Sequence, residues 1–317
     1  MPSIQQIFQI LSADLAAKQP DAGGAILCPL CMRPFAFEAI AEKRLSVEHI
    51  IPSALGGTLE AITCTECNNS HGAAWESHLV KAMQTFDSLD GKGIIPAVLH
   101  NDSGHVAANI AWRIDAPTEI KIVGKASNPA GISAVRGSIK PDATLNLTMK
   151  FGFMGEPYYR ALLRVAYLAA FAYFGYGFIL REGASQIRQV LNGDGVPTAI
   201  FLEAHPEAEL PFTAFVHRVP AEGIGAFSLA LFQLRTTTTS RWFAALLPGD
   251  DGCTWDRLGE LAAKFTNAVL QVNPVGTAPA VAVRFSPEPM KKRLAFGIPP
   301  APTTPQRRSE PHHDQRP

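Results

Sequence analysis

The sequence predicts an α+β protein, in which a small metal-organised module precedes a larger mixed α+β domain. The chain has 317 residues, of which 47% are hydrophobic and 18% charged, so it can bury a sizeable core. Two Cys-x-x-Cys pairs lie near the N-terminus, and short β-prone runs alternate with helical periods further along. We therefore divide the chain into an N-terminal helix (1–22), the metal-organised module (23–90), the α+β domain (91–296) and a tail (297–317).

Apolar spacing predicts the first two helices. Residues 3–18 carry apolar side chains at a helical period, and Pro20 follows as a helix breaker. A second helical period covers residues 73–86, after the second cysteine pair, until Gly91 and Gly93 stop it.

An antiparallel meander is expected from residue 94 to residue 153. Turn sequences such as Asn-Asp-Ser-Gly separate short β-prone runs there. These runs cover residues 97–100, 108–114, 119–124, 134–139 and 144–151.

Beyond the meander we expect a long apolar helix over 157–180 and a short one over 184–191. Residues 165–180 contain no charge but fall short of the roughly 20 apolar residues that a membrane span needs, so a buried core helix is expected. The tail, 297–317, is rich in proline and polar residues, which predicts disorder. The remaining expected elements are strands at 212–219, 226–234, 241–247 and 279–285 and a helix at 254–271.

The charge balance excludes a strongly basic nucleic-acid coat. Lysine plus arginine number 28 and aspartate plus glutamate 28, for a formal charge of zero. Residues 1–90 are acidic, with five basic and ten acidic side chains, so contacts to a polyanion are expected mainly from the rest of the chain. No secretory signal pattern is present at the N-terminus, and we expect a cytoplasmic protein whose thiols are reduced.

The cysteine pattern predicts a structural zinc site. Four of the five cysteines form the pairs Cys28/Cys31 and Cys64/Cys67. Four thiolates from two tight turns can close a tetrahedral zinc site, which stabilises a small module. Unligated core cysteines or a redox-active pair are the alternatives. The lone Cys253 is expected to be a buried small residue.

The segment between the pairs carries a candidate active site. A short strand ends with Glu48 and His49, after which Pro52 forces a turn. Because strand side chains alternate between faces, Glu48 and His49 share a site only if the strand ends or twists there. Asn68 directly follows the last cysteine, and a carboxylate, an imidazole and an amide suit a hard cation together with a general base.

These residues resemble the HNH endonucleases of the ββα-metal superfamily, in the form supported by a zinc ribbon with two Cys-x-x-Cys pairs. The resemblance rests on Cys28-x-x-Cys31, Glu48-His49-Ile50-Ile51-Pro52, Gly56-Gly57, Cys64-x-x-Cys67-Asn68 and Gly72. It implies that His49 is the general base and that Glu48 and Asn68 hold a catalytic Mg²⁺ or Mn²⁺, with His71 as an additional candidate ligand. It also implies a DNA substrate.

One position departs from the family pattern. Many members carry an asparagine in the loop before the second cysteine pair, where it orients the base, whereas residues 58–63 contain none. A backbone carbonyl or Glu60 is the candidate replacement. The simpler alternatives are a hydrogen-bonded strand histidine at His49, an exposed carboxylate at Glu48 and a helix cap at Asn68. For His71, a surface position stays open.

Two functions follow from these observations. The first is a metal-dependent endonuclease that hydrolyses DNA, with residues 91–296 as a recognition, sensing or assembly domain and, by analogy, a role in defence against foreign DNA. The second is a non-catalytic zinc module that binds nucleic acid or a protein partner. No membrane partner is expected, whereas a homo-oligomer or an activating protein partner is left open.

Overall fold

In a computed structural model, the described residues form eight α-helices and fourteen β-strands, which confirms the α+β class. The structure describes residues 3–286 apart from 102–103, 113–119, 125–128, 139–145, 150–151, 194–200, 207–209, 211, 222–224, 250–251, 265–268 and 275–280. The tail predicted at 297–317 lies outside the described residues.

The N-terminal helix α1 (Ile4–Ala16) begins with a capping box, because the Ser3 hydroxyl and the Gln6 side chain each accept a hydrogen bond from the other residue's backbone N–H. Its apolar face buries Phe8 and Leu15. The next two strands, β1 (Ile26–Leu27) and β2 (Pro34–Phe35), pair as a small antiparallel hairpin.

A ββα unit follows. Strands β3 (Leu45–His49) and β4 (Glu60–Cys64) pair antiparallel, and α2 (Thr65–His71) continues directly from β4. A π-helical turn (Gly72–Glu76) links α2 to α3 (Ser77–Leu89). Helical structure thus begins eight residues earlier than the apolar period at 73–86 indicates, because the Cys64 sulfur caps the first turn.

A four-stranded antiparallel sheet forms most of the expected meander. Its order is β7-β6-β5-β8, comprising β5 (Ile94–Asn101), β6 (Gly104–Trp112), β7 (Ile120–Gly124) and β8 (Asn146–Met149). The β-prone interpretation of residues 134–139 is wrong, since α4 (Pro129–Ser138) covers residues 134–138. Pro129 is well suited to a first helical turn, and Ile132 and Val135, three residues apart, pack on the sheet.

The long apolar helix is α5 (Gly155–Phe174), followed by α6 (Tyr176–Ile179) and α7 (Glu182–Asn192). Gly175 separates α5 from α6 with a φ of +57°, and a Cβ there would lie 2.2 Å from an Asp14 carboxylate oxygen. Only glycine fits this junction. The expected core helix is confirmed, because thirteen residues of α5 are buried. Among the described helices, none combines the length and apolarity that crossing a membrane requires.

A six-stranded sheet completes the fold, in the order β10-β11-β12-β9-β13-β14. Neighbouring strands are antiparallel except for the parallel pair β9 and β13. The expected helix at 254–271 ends at Lys264, and its last part is strand β13. Strand β9 is not among the expected elements, although its Leu202, Ala204 and Pro206 alternate with Glu203 and His205. The elements are β9 (Phe201–Pro206), β10 (Ala214–Ala221), β11 (Gly225–Arg235), β12 (Ser240–Leu247), α8 (Trp255–Lys264), β13 (Val269–Pro274) and β14 (Val281–Ser286).

One hydrophobic core joins the ββα unit to the six-stranded sheet. It includes Leu79 of α3, Leu168 of α5 and Phe232 of β11. Helix α5 lies at its centre and packs against α3, α7 and strands β10–β12. Residues on both sides of the expected boundary at residue 90 contribute to this core.

A buried polar cluster anchors α3 to the β11–β12 hairpin. The Asp87 carboxylate accepts hydrogen bonds from Thr236, from Thr238 (2.8 Å), from Thr239 and from Arg241 (2.6 Å). Burial by itself raises the pKa of Asp87, but the hydrogen bonds from Thr236, Thr239 and Arg241 outweigh burial and hold the pKa below its ordinary value. The ionised carboxylate is therefore stabilised in the folded protein.

Replacing Asp87 by asparagine should lower the free energy of unfolding by about 2 kcal/mol, because a buried amide cannot accept all the hydrogen bonds of the carboxylate and Arg241 keeps only Asp90 as counter-charge. Urea denaturation at neutral pH measures this loss. Glu260→Gln, an exposed change on α8, is the control and should be nearly neutral. Equal stability of Asp87→Asn and the control would contradict the assignment.

Candidate active site

The four paired cysteines converge on one point. Their sulfur atoms all lie within 4.8 Å of one another, and those of Cys31 and Cys64 are 3.8 Å apart. Tetrahedral zinc with Zn–S bonds of ~2.3 Å requires sulfur separations of about 3.8 Å. The cluster therefore fits a structural zinc ion, as the sequence predicts. Cys253 is buried elsewhere, at 1% exposure.

The raised pKa of the Cys31 thiol and a nearby positive charge also favour a bound metal. The hydrogen bond with Cys28 and burial raise the pKa of the Cys31 thiol to about 12. Four crowded thiols ionise to thiolates at neutral pH only when a divalent cation balances their negative charge. Arg33 contributes further positive charge, donating hydrogen bonds to the sulfurs of Cys31 (3.4 Å) and Cys64 (3.5 Å).

The two glycines after Pro52 fix the end of β3. Gly56 has a φ of +80°, and a Cβ on Gly57 would lie 1.7 Å from the Ile51 carbonyl oxygen. Both positions therefore require glycine, and together they turn the chain back toward β4. This turn places His49 at the last position of the strand.

Glu48 lies in the interior, at 5% exposure, so the alternative of an exposed carboxylate is excluded. One carboxylate oxygen accepts a hydrogen bond from the Thr63 hydroxyl at 2.9 Å. The other forms an ion pair with the guanidinium of Arg164, which comes from α5 and is 2% exposed. Arg164 also donates to the Glu76 carboxylate at 2.9 Å. Burial lowers the pKa of Arg164 to about 10, which leaves it charged at neutral pH.

Asn68 lies within α2 and does not cap it, since Cys64 occupies the cap position. Its amide nitrogen donates to the Ser46 hydroxyl at 3.1 Å. Ser46 and Glu48, two residues apart, share one face of β3, so Asn68 lies against the face that carries Glu48. Its amide oxygen is the atom that can ligate a cation.

His71 ends α2 and is 7% exposed, which excludes a surface position. Its ring stacks on Trp75 with centroids 4.1 Å apart. Its Nδ1 has no hydrogen-bond partner among the described residues. Burial and, to a smaller extent, the positive charge of Arg160 lower the pKa of His71 to about 4. The imidazole is therefore neutral at neutral pH, the form that binds metals.

His49 is half-buried, and its Nδ1 also has no hydrogen-bond partner in the described part of the chain. Glu60, the sequence candidate for orienting the base, is its cross-strand neighbour but does not bond to that nitrogen. Burial raises the pKa of Glu76, and the nearby His49 opposes this rise. The same Glu76 carboxylate accepts the hydrogen bond from Arg164.

The structure thus gathers the predicted residues around one region. Arg164 links the Glu48 carboxylate to the Glu76 carboxylate, and His49 follows Glu48 at the end of β3. Sequence reasoning missed Arg164 and Glu76. The available signal for Arg164 was its charge within a long apolar helix. A buried charge needs a partner, but the sequence does not identify that partner.

Comparison with known proteins supports the resemblance for this part of the chain. Residues 28–84 match the family model described as HNH endonuclease, under a fifth of the chain. The recognition of an HNH module is thereby confirmed. No curated protein and no solved structure gives a match.

Replacing Cys67 by serine should reduce bound zinc from about one ion per chain to well below one, because a three-thiolate site no longer closes the tetrahedron. Metal analysis by mass spectrometry after gel filtration measures this loss. Cys253→Ser removes an equally buried thiol outside the cluster and should keep the zinc. Full zinc retention by Cys67→Ser would contradict the site.

His71 should make stability fall as pH drops from about 6.5 to about 4, because it takes up a proton in the unfolded chain but not in the folded one. The variant His71→Gln lacks this group and should lose stability less steeply. Urea unfolding of both proteins at pH 7 and pH 5 provides the comparison. Identical pH dependence would show that His71 titrates normally.

Proposed function

We propose that this protein is a metal-dependent HNH endonuclease that hydrolyses phosphodiester bonds in DNA. The observation that carries the proposal is the convergence of a family match over residues 28–84 with a carboxylate and an imidazole at the end of β3, in the ββα unit that the cysteine cluster holds at its other end. A zinc scaffold alone has no need for Glu48, His49 and Asn68 together.

In this proposal His49 is the general base. An imidazole nitrogen of His49 accepts the proton from the attacking water, which then adds to the phosphorus atom. Its Nδ1, which has no bond to a described residue, is available for an orienting contact that forms with substrate.

Glu48 and Asn68 would hold Mg²⁺ or Mn²⁺, with His71 as a further ligand. Carboxylate and amide oxygens suit a hard cation, and the buried Nδ1 of the neutral His71 lacks a described partner, as a ligand atom would before metal binds. The bound cation would stabilise the charge that develops on the phosphate and on the leaving oxygen. The Glu48 carboxylate already pairs with Arg164, so a cation bound to Glu48 would displace that guanidinium.

The wider setting is also a proposal. A cytoplasmic nuclease with an attached domain over residues 91–296 suits recognition of, or defence against, foreign DNA. Since the N-terminal third is acidic, basic residues beyond residue 90 would supply contacts to the DNA backbone.

One observation favours a second function, a non-catalytic zinc module that binds nucleic acid or protein. Glu48 is paired with a buried arginine, an arrangement that by itself serves structure. This alternative predicts zinc binding without any metal-dependent cleavage.

Changing His49 to alanine should slow plasmid cleavage in Mg²⁺ or Mn²⁺ by about 10²-fold or more, because a positioned general base contributes about that much. Nicking of supercoiled plasmid, with chelator-treated protein as a blank, measures the rate.

The matched control is His100→Ala, an exposed histidine on the β5–β6 hairpin, which should cleave like wild type. Cleavage by His49→Ala at the wild-type rate would exclude His49 as the base. The binding module would be favoured if folded, zinc-loaded wild type does not cleave under these conditions and a variant with Arg164 replaced does not cleave either.

A further inference from the structure

Arg164 reaches from α5 to two carboxylates of the candidate site. It is 2% exposed, and its two terminal nitrogens face two different carboxylates. Glu48 belongs to β3, whereas Glu76 belongs to the π-helical turn, so two separate elements of the module contribute one acid each. The guanidinium comes from α5, outside the segment that matches the nuclease family.

The charges at this point are unequal. Two carboxylates, from Glu48 and Glu76, surround the one guanidinium of Arg164. Removal of the guanidinium would leave two carboxylates facing each other in a largely buried space. Two such groups repel each other unless a cation lies between them, and a divalent ion would neutralise both.

A second observation, on the helix that packs against β3, also suits a metal ligand. Nδ1 of His71 is buried, has no partner among the described residues, and belongs to a helix that packs on β3. A neutral imidazole with an unused buried nitrogen is available to ligate a metal. Asn68, one turn earlier on α2, lies against the strand face that carries Glu48.

We propose that Glu48 and Glu76 form a divalent-cation site in which the guanidinium of Arg164 takes the place of the metal. Glu76 is then a metal ligand that the sequence pattern does not reveal. Arg164 and the cation compete for the same carboxylates, so helix α5 holds the site in a state without metal. The consequence of this inference for activity rests on the proposed nuclease function: withdrawal of Arg164 admits the cation and accelerates cleavage.

The experiment compares wild type with Arg164→Met and Arg164→Lys, all loaded with zinc. Methionine fills a similar volume without charge, whereas lysine keeps a cation beside Glu48. Binding of Mn²⁺ is followed by the loss of the free-ion electron paramagnetic resonance signal, and thermal unfolding is recorded with and without Mn²⁺. We expect Arg164→Met to bind one Mn²⁺ at least tenfold more tightly than wild type, and Arg164→Lys to behave like wild type.

A double variant locates the site. Adding Glu76→Gln to Arg164→Met should remove most of the gain in Mn²⁺ affinity. If Arg164→Met does not fold alone, Mn²⁺ should restore cooperative unfolding, because a ligand that binds only the folded state stabilises it. Mn²⁺ affinity no higher than wild type, or failure of Mn²⁺ to rescue an unfolded variant, would overturn the proposal.

Plasmid nicking by the same proteins separates this inference from the proposed function. Tighter Mn²⁺ binding with cleavage at least tenfold faster supports both. Tighter binding without any cleavage supports the cation site and overturns the nuclease function. Metal-dependent cleavage by wild type, with no gain in Mn²⁺ affinity in Arg164→Met, supports the nuclease and overturns the competition.

Discussion

The buried ion pair between Glu48 and Arg164 joins the candidate active site to the rest of the molecule. Both side chains are nearly inaccessible, and a charge in such a place persists only when it is paired. Removing one partner of a buried pair typically costs about 3–5 kcal/mol. Because Arg164 belongs to the central helix α5, the chemistry available to Glu48 depends on a residue outside the module that carries it.

Two further contacts fix the module from opposite ends. The cysteine cluster joins the β1–β2 turn to the start of α2, and this sets the position of Asn68 against β3. At the other end, Asp87 ties α3 to the β11–β12 hairpin through threonine hydroxyls and Arg241. Between them runs the continuous core around α5. The module therefore shares its core with the larger domain, and a movement of α5 would change the surroundings of Glu48.

Local sequence patterns predict most of the module, whereas long-range contacts escape them. The cysteine spacing and the Glu48-His49 turn depend on neighbours in sequence, so the amino-acid pattern alone is enough to predict the zinc cluster. The pairing of Glu48 with Arg164 joins residues more than one hundred positions apart, and no local pattern encodes it. The strand prediction for residues 134–139 fails because β-prone side chains such as Val135 also suit a helix that begins at a proline and packs one face on a sheet.

The most direct test of this account is the position of a bound cation relative to Arg164. Anomalous diffraction at the manganese edge, from crystals of wild type with Mn²⁺ and a DNA oligonucleotide, locates that cation separately from zinc. The account predicts a manganese peak in contact with Glu48, Glu76 and Asn68, with the guanidinium of Arg164 withdrawn from both carboxylates. A complex in which DNA is cleaved while Arg164 still pairs with Glu48 and manganese lies elsewhere would contradict it.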